Sequence, residues 1–241
     1  MYKELKPSKE LRRLIDSFWT FSGNKAPETY KILPDNCVDV IFDFTNNSVF
    51  VSGVMSNYQI RELAAESNLL GIRFKVENFS SITPLPLSET RNLRIELSQV
   101  IPTCQTTILA QINDLLTISD KVDLLENFVA ELVNTAHRQH DHLILSIAEK
   151  IRIAKGSISV QHIADSNFIS LRQLERRFKE YIGLSLKEYS RIIRFIHTQK
   201  AISSSPEKSL LEIAFDMGFF DHSHLAYEFK RISGENPSYF R

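Results

Sequence analysis

Between residues 170 and 182, Arg172, Glu175, Arg176 and Lys179 fall on one side of a helical repeat, and Leu171, Leu174, Phe178 and Ile182 fall on the other. An arginine such as Arg176 can fork onto O6 and N7 of guanine, and a glutamate such as Glu175 can accept from the amino group of cytosine. A good bidentate pair of this kind is worth roughly 1–3 kcal/mol of base discrimination. The chemistry on offer is reversible recognition of base edges. Ser170, three residues before Gln173, fits a capping box, in which each side chain satisfies a backbone donor at the start of the helix.

Those side chains need a scaffold. Leu143, Ile147, Ile151 and Ala154 line a helix that stops at Lys155-Gly156, where glycine can take a left-handed cap. Ile158 to Ser166 reads as a short second helix and Ser170 opens a third, the helix-turn-helix pattern whose second helix can enter a major groove. The pattern recurs. Ile163-Ala164, Ile169, Leu174, Phe178 and Gly183 return as Ile213-Ala214, Phe219, Leu225, Phe229 and Gly234, at offsets of 50 and then 51 residues. The later copy has one extra residue in its turn. Leu186, Tyr189, Ile193 and Ile196 mark a long helix joining the copies. Two reading heads on one connector can address successive groove faces about 34 Å apart.

Leu174-Glu-Arg-Arg-Phe-Lys179, Glu212-Ile-Ala-Phe-Asp-Met-Gly-Phe-Phe-Asp221, Phe229-Lys230 and Gly234-Glu-Asn-Pro-Ser-Tyr-Phe-Arg241 resemble the AraC/XylS transcription regulators over roughly the last 100 residues. The resemblance implies a DNA-binding domain over 138–241 with two helix-turn-helix units, duplex DNA and RNA polymerase as partners, and regulation of transcription without turnover. Matched residue by residue, it puts Ser170, Arg172, Glu175 and Arg176 at the reading end of the first unit, and His222, Ser223, His224 and Tyr227 at that of the second. Tyr227 stands where an Arg is common, and Phe168 where a Gly closes the turn, so Asn167 is expected to supply the left-handed residue. Lys179, Lys187, Arg191, Arg194, Lys200 and Lys230 are expected near phosphates. About five such contacts would give a slope of log K on log salt near −4 to −5.

The first part differs in texture. Ser8 to Phe18 carries Leu11, Leu14, Ile15 and Phe18 at helical steps. From Tyr30 to Val76, β-branched and aromatic runs separated by Asn and Gly predict an antiparallel sheet. Leu87 to Ile101, Thr106 to Ile118 and Lys121 to Ala136 predict helices, so residues 1–137 read as an α+β domain ahead of an all-α one. The resemblance implies a cupin-like sensing or dimerising domain here, and Ile32-Leu-Pro-Asp-Asn-Cys-Val-Asp-Val-Ile-Phe42 is similar to a Pro-Asp-Gly-Cys segment of some such regulators, with Asn36 in place of Gly. Trp19, Tyr30, Phe42, Phe44 and Phe74 are candidates to line a pocket for an apolar effector. A solid core, with control by a protein partner or by a second copy of the chain, is the alternative.

Composition narrows the classes. The chain has 241 residues, with 29 Lys plus Arg and 29 Asp plus Glu. Divided at residue 139, the balance is 14 against 17 and then 15 against 12, and all seven histidines lie from His137 onward. No apolar run approaches the roughly 20 residues of a membrane span, and the amino terminus lacks the apolar core of a secretory leader, so a cytoplasmic protein is expected. Cys37 and Cys104 cannot make a disulfide framework or a four-cysteine metal site. Residues 1–136 hold no histidine, which argues against metal-dependent cupin chemistry and for no cofactor. Asp39 and Asp43 share a strand face and could in principle work as an acid/base pair, but an ordinary strand role is expected of them. His137, His140 and His142 read as a polar linker more readily than as metal ligands.

Overall fold

The computed structural model describes residues 1–102, 108–135 and 140–241. The chain divides into two compact units: residues 1–31, 37–54 and 60–140 form the first, and residues 32–36, 55–59 and 141–241 the second.

In the first unit, β1 (Tyr2–Leu5), β2 (Ile15–Ser22), β3 (Glu28–Ile32), β4 (Cys37–Asp43), β5 (Ser48–Ser52), β6 (Gln59–Leu63) and β7 (Asn68–Lys75) precede α1 (Val76–Ile82), β8 (Arg94–Glu96), α2 (Leu97–Val100), α3 (Ile108–Asn113) and α4 (Ile118–Thr135). Six strands pair in the order β1-β2-β7-β4-β5-β8, and β3 with β6 makes a second, two-stranded sheet. Neighbouring strands of the larger sheet pair antiparallel. Register aligns Phe18, Ile72, Val40 and Val51 in one row and Thr20, Leu70, Phe42 and Val49 in the next. This face packs under the helices, with Phe42 against Phe128 and Phe74 against Phe79. Lys121 of α4 lies over the Phe44 ring at 4.8 Å.

The opposite face is mixed. Trp19 lies so close over Gly71 that a Cβ there would sit 2.0 Å from the indole. Beside it, Asp39 Oδ1 accepts from Trp19 Nε1 at 2.9 Å and from Arg73 Nε at 3.2 Å. Burial pushes the Asp39 carboxyl up, against the pull of Arg73 and Trp19. Phe21 and Tyr30 meet edge to face at 5.0 Å.

Three expectations are corrected here. Ser8 to Phe18 is not a helix: Leu11–Arg13 makes one 3-10 turn, and Ile15–Ser22 is a strand with Phe18 and Trp19 buried on opposite faces. A strand buried on both sides loses alternation and can imitate helical spacing. The sheet therefore starts well before Tyr30. Leu87 to Ile101 is likewise not one helix; it holds a 3-10 turn at Leu87–Thr90, the edge strand β8 and the one-turn α2. The five residues expected to line one pocket lie on both faces: Phe42, Phe44 and Phe74 on the helix side, Trp19 and Tyr30 on the other. Successive strand residues point oppositely, so they cannot share a cavity.

The second unit contains α5 (His142–Ile153), α6 (Val160–Ser166), α7 (Leu171–Ile182), α8 (Leu186–Ser204), α9 (Leu210–Asp216) and α10 (His222–Ser233). At 1.5 Å per residue, α8 runs about 28 Å, and α5, α7, α9 and α10 pack against it. Leu174, Phe178, Leu225 and Phe229 are fully buried on their inner faces. The segment 32–36 belongs to this unit: Leu33 packs on the cluster around Phe195 and Phe229, and Asn36 Nδ2 donates to Tyr189 O at 3.5 Å. Asn36 has φ +58°, the left-handed region where asparagine can replace glycine. From the segment 55–59, Tyr58 N donates to Ile232 O at 2.7 Å.

Candidate nucleic-acid interface

Capping sets each helix of the second unit. Ser159 Oγ accepts from His162 N, Ser170 Oγ from Gln173 N, and Asp221 Oδ1 from His224 N, starting α6, α7 and α10. Ser185 with Glu188 and Ser209 with Glu212 form complete capping boxes at α8 and α9. The box expected at α7 is only half made, because Gln173 Oε1 accepts from the Ser170 hydroxyl at 2.8 Å instead of from the backbone. Gly183 and Gly234 close α7 and α10 in the left-handed conformation.

The two turns differ at one matching position. Gly218 takes φ +72°, and its counterpart in the first unit, Phe168, takes φ +52°. Asn167, at φ −110°, does not supply the left-handed residue, which corrects that expectation. A bulky residue in this region is strained by roughly 1–2 kcal/mol. Phe168 is also 99% exposed, so no packing repays the strain. Phe220, in the longer second turn, is exposed as well. The 50-residue offset could have located both features.

On α7, Arg172, Arg176 and Lys179 are exposed at steps of four and three, Glu175 is half-buried, and Ser170, Arg172, Gln173 and Arg176 line one open recess. Arg177 is different: its guanidinium donates to both Asp141 oxygens, at 2.9 and 2.8 Å, tying α7 to the start of α5. On α10, His222, Ser223, Tyr227 and Lys230 are exposed. His224 turns inward, where its Nδ1 accepts from Phe220 N at 3.3 Å and its ring meets Phe219 edge to face at 5.4 Å. It therefore stands apart from the other three second-unit candidates. Arg194 is also engaged: it donates to Gly156 O at 2.8 Å and lies over Phe219. Burial pushes its guanidinium down from the ordinary value, opposed by Glu228 and reinforced by Arg191. Arg191 Nε sits 3.3 Å from Glu228 Oε2.

Gly156 holds the first unit on the connector. It has φ +76°, and a Cβ there would stand 2.1 Å from Ser190 O. Ser157 Oγ donates to Met217 O at 3.3 Å, linking the entry of the first unit to the turn of the second. Among the described residues no group of three His, Cys, Asp or Glu side chains could hold a metal, and no helix is long and apolar enough to cross a membrane. His137 lies outside the described residues.

Two helices of seven and twelve residues, a tight turn between them, and the same arrangement repeated on one connector define paired helix-turn-helix units. Residues 163–241 match the helix-turn-helix domain family HTH_18, and residues 3–96 match a domain of unknown function, DUF6597. The carboxy-terminal domain of this chain belongs to the AraC type of helix-turn-helix domains. The chain is 28% identical over 155 residues to the HTH-type transcriptional activator RhaS of Escherichia fergusonii, covering 64% of this chain and 54% of that protein. It is 28% identical over 140 residues to the Msm operon regulatory protein of Streptococcus mutans, covering 56% and 50%. It thus spans about half the length of these relatives. Among solved structures, ToxT from Vibrio cholerae aligns over 100% of this chain and 96% of its own, at 10% identity and a TM-score of 0.46.

Proposed function

We propose that this chain is a transcription regulator that binds duplex DNA through α7 and α10 and works by equilibrium occupancy, without turnover. The observation that carries this reading is the exposed stripe of Arg172, Arg176 and Lys179 on a capped helix of an AraC-type domain. Among the described residues Arg172 and Arg176 have no intramolecular hydrogen-bond or ion-pair partner, and they lie one helical turn apart, as base-edge readers must. Glu175, half-buried between them, can accept from a cytosine amino group. In the second unit, Ser223 and His222 at the α10 start suit a phosphate, Tyr227 suits a thymine methyl, and Lys230 a backbone contact. RNA polymerase is the proposed downstream partner, in line with the relatives that are named activators.

Control is assigned to the first unit, by a small molecule or by a second copy of the chain. An open groove of about 380 Å³ beside β5 and β8 supports the small-molecule reading. There Arg94 stacks over Phe50 and lies 3.5 Å from the buried Asp43 carboxylate. This groove, and not the five aromatic residues, is the place in the β domain to look.

The test is selection of bound duplexes from fragmented genomic DNA by the purified protein, followed by gel-shift competition against random duplex. Arg176→Ala is expected to lose affinity mainly for the selected sequence. Retention of the full preference for that sequence by the variant overturns the assignment of Arg176, and failure of the wild-type protein to enrich any sequence overturns the proposal.

A further inference from the structure

Three helices of the second unit start on a serine with Glu or Gln three residues later, and α7 alone of the three uses the amide. At α8 and α9, Glu188 and Glu212 each accept on one carboxylate oxygen from both the backbone N–H and the hydroxyl of their N-cap serine. At α7, Gln173 Oε1 accepts from the Ser170 hydroxyl at 2.8 Å and leaves the backbone N–H aside. A carboxylate is the better partner for a helix start, because it closes the box and also opposes the positive end of the helix dipole. Gln173 gives up part of the cap and gains what a glutamate lacks, two N–H donors.

Those donors are available. Ser170 Oγ accepts from Gln173 N at 3.3 Å, so its own proton is free to go to Oε1, and the amide is held with its oxygen on the cap. Nε2 is the other end, and among the described residues it meets no acceptor. The side chain is exposed and lines the same open recess as Arg172 and Arg176. At about 100° per residue it projects about 60° from Arg176, on the side away from Arg172. Base-edge contacts in a helix-turn-helix come from the first residues of the second helix, and Gln173 is the third residue of α7.

We propose that Gln173 is a further base reader of α7 and that Ser170 sets what it reads: a guanine, whose N7 and O6 accept from Nε2. Adenine offers N7 beside its amino group, so a glutamine that reads it must donate and accept at once, and cytosine offers a donor alone. A carbonyl that already accepts from Ser170 is a weaker acceptor for a second donor. The N–H groups of the same amide become stronger donors, because hydrogen bonds in a chain polarise one another. The relay from backbone N–H through hydroxyl to amide therefore favours an edge made of acceptors. Guanine presents two of them, thymine one beside a methyl group. The inference rests on the DNA-binding reading of α7 and adds to it a contact on the far side of Arg176.

The experiment is a base-by-base series. Each position of the duplex selected by the unaltered protein is changed in turn to the other pairs, and fluorescence anisotropy gives the affinity of the full chain and of Gln173→Ala. That variant keeps the cap, since Ser170 still accepts from the backbone N–H of residue 173. One position is expected where the unaltered protein prefers G·C over A·T by at least about fivefold and Gln173→Ala by less than about twofold. Replacing the guanine there by 7-deazaguanine, which lacks the N7 acceptor, should weaken the unaltered protein and leave Gln173→Ala unmoved. Ser170→Thr keeps both the cap and the hydroxyl proton and should keep the preference. Ser170→Asp keeps the cap but has no proton for Oε1, so the preference should fall by at least about threefold. Preference is a ratio within one protein, so the added charge of the aspartate, which weakens every duplex alike, cancels. Survival of all base preferences in Gln173→Ala, or loss of preference at an A·T pair instead, overturns the guanine contact and leaves the DNA reading standing. The deazaguanine arm decides the matter even if a serine variant unfolds. Failure of the unaltered protein to select any sequence overturns the DNA reading itself.

Discussion

In the first helix-turn-helix unit α7 turns Arg172, Arg176 and Lys179 outward, whereas α10 in the second turns out His222, Ser223, Tyr227 and Lys230 and holds the half-buried imidazole of His224 against its own turn. Both helices are twelve residues long, both are N-capped by a side-chain oxygen, and both end on a left-handed glycine. The frame has been repeated and the face has not. Frame residues answer to packing and capping, which are the same problem in both copies. Outward residues answer only to whatever lies opposite. Two arginine forks suit a readout rich in guanine, while an exposed tyrosine and a serine suit apolar or backbone contact.

The largest effect that can break this contrast is a matched pair of substitutions. Arg176→Ala should weaken binding to the selected duplex by about fivefold to 150-fold, the roughly 1–3 kcal/mol of a bidentate base contact, with little change on random duplex. Tyr227→Ala, at 63% exposure, removes no fork and should lose less than about fivefold on the same duplex, under about 1 kcal/mol. Fluorescence anisotropy on both duplexes measures it. Equal losses would show that the two units read alike.

Next in size is the pair of turns. Gly218→Phe should lower stability by about 1–2 kcal/mol, because a side chain is forced into the left-handed region and a Cβ meets Ser157 Oγ at 2.8 Å. Phe168→Gly should raise stability, the same relief of strain less the roughly 0.5–1 kcal/mol that glycine loses in chain entropy. Urea unfolding followed by circular dichroism gives both. A destabilised Phe168→Gly would mean that the exposed ring makes a contact which offsets the strain of its backbone.

The same pair shows what can be read from residue order alone. The helices around both turns were legible because caps and hydrophobic spacing are local: Ser170, Asp221, Gly183 and Gly234 announce ends, and Leu174, Phe178, Leu225 and Phe229 announce inner faces. Which residue of the first turn takes positive φ was misjudged, since asparagine is the usual bearer and only the offset to Gly218 points to Phe168. Ile15–Ser22 was hidden for a different reason. Phe18, Trp19 and Phe21 are buried on both sides of a strand, so alternation vanishes and Leu11, Leu14, Ile15 and Phe18 imitate a helix. The inward turn of His224 was not legible, because it depends on the Phe220 amide that the extra residue brings into range. Nor was the place of Leu33 and Asn36 in the second unit, which depends on contacts with residues more than 150 positions away.

Arginine on α7 allows a smaller test of frame against face. Arg177 grips Asp141 in two parallel hydrogen bonds, Nε to Oδ2 at 3.2 Å and Nη2 to Oδ1 at 2.9 Å, with its side chain 41% exposed, so solvent screening keeps the pair modest. Arg177→Ala should lower stability by at most about 1 kcal/mol and leave the preference for the selected duplex intact, in contrast to Arg176→Ala one residue away. Loss of preference without loss of stability would put Arg177 on the face.

The finest distinction concerns salt. Six cations were expected near phosphates, but Arg191 is committed to Glu228 and Arg194 to the Gly156 carbonyl. Lys179, Lys187, Lys200 and Lys230 remain exposed. With four contacts, at about 0.9 per contact, log K on random duplex should fall with log salt at a slope of about −3.6, shallower than the −4 to −5 drawn from sequence. Lys230→Ala on the second unit and Lys179→Ala on the first should each reduce the slope by about 0.9, or roughly threefold in affinity between 50 and 200 mM salt. Equal reductions would mean that the two units share the backbone contact evenly and differ only in base readout. A slope of −5 or steeper in the unaltered protein would require Arg191 and Arg194 to leave their intramolecular partners when DNA binds.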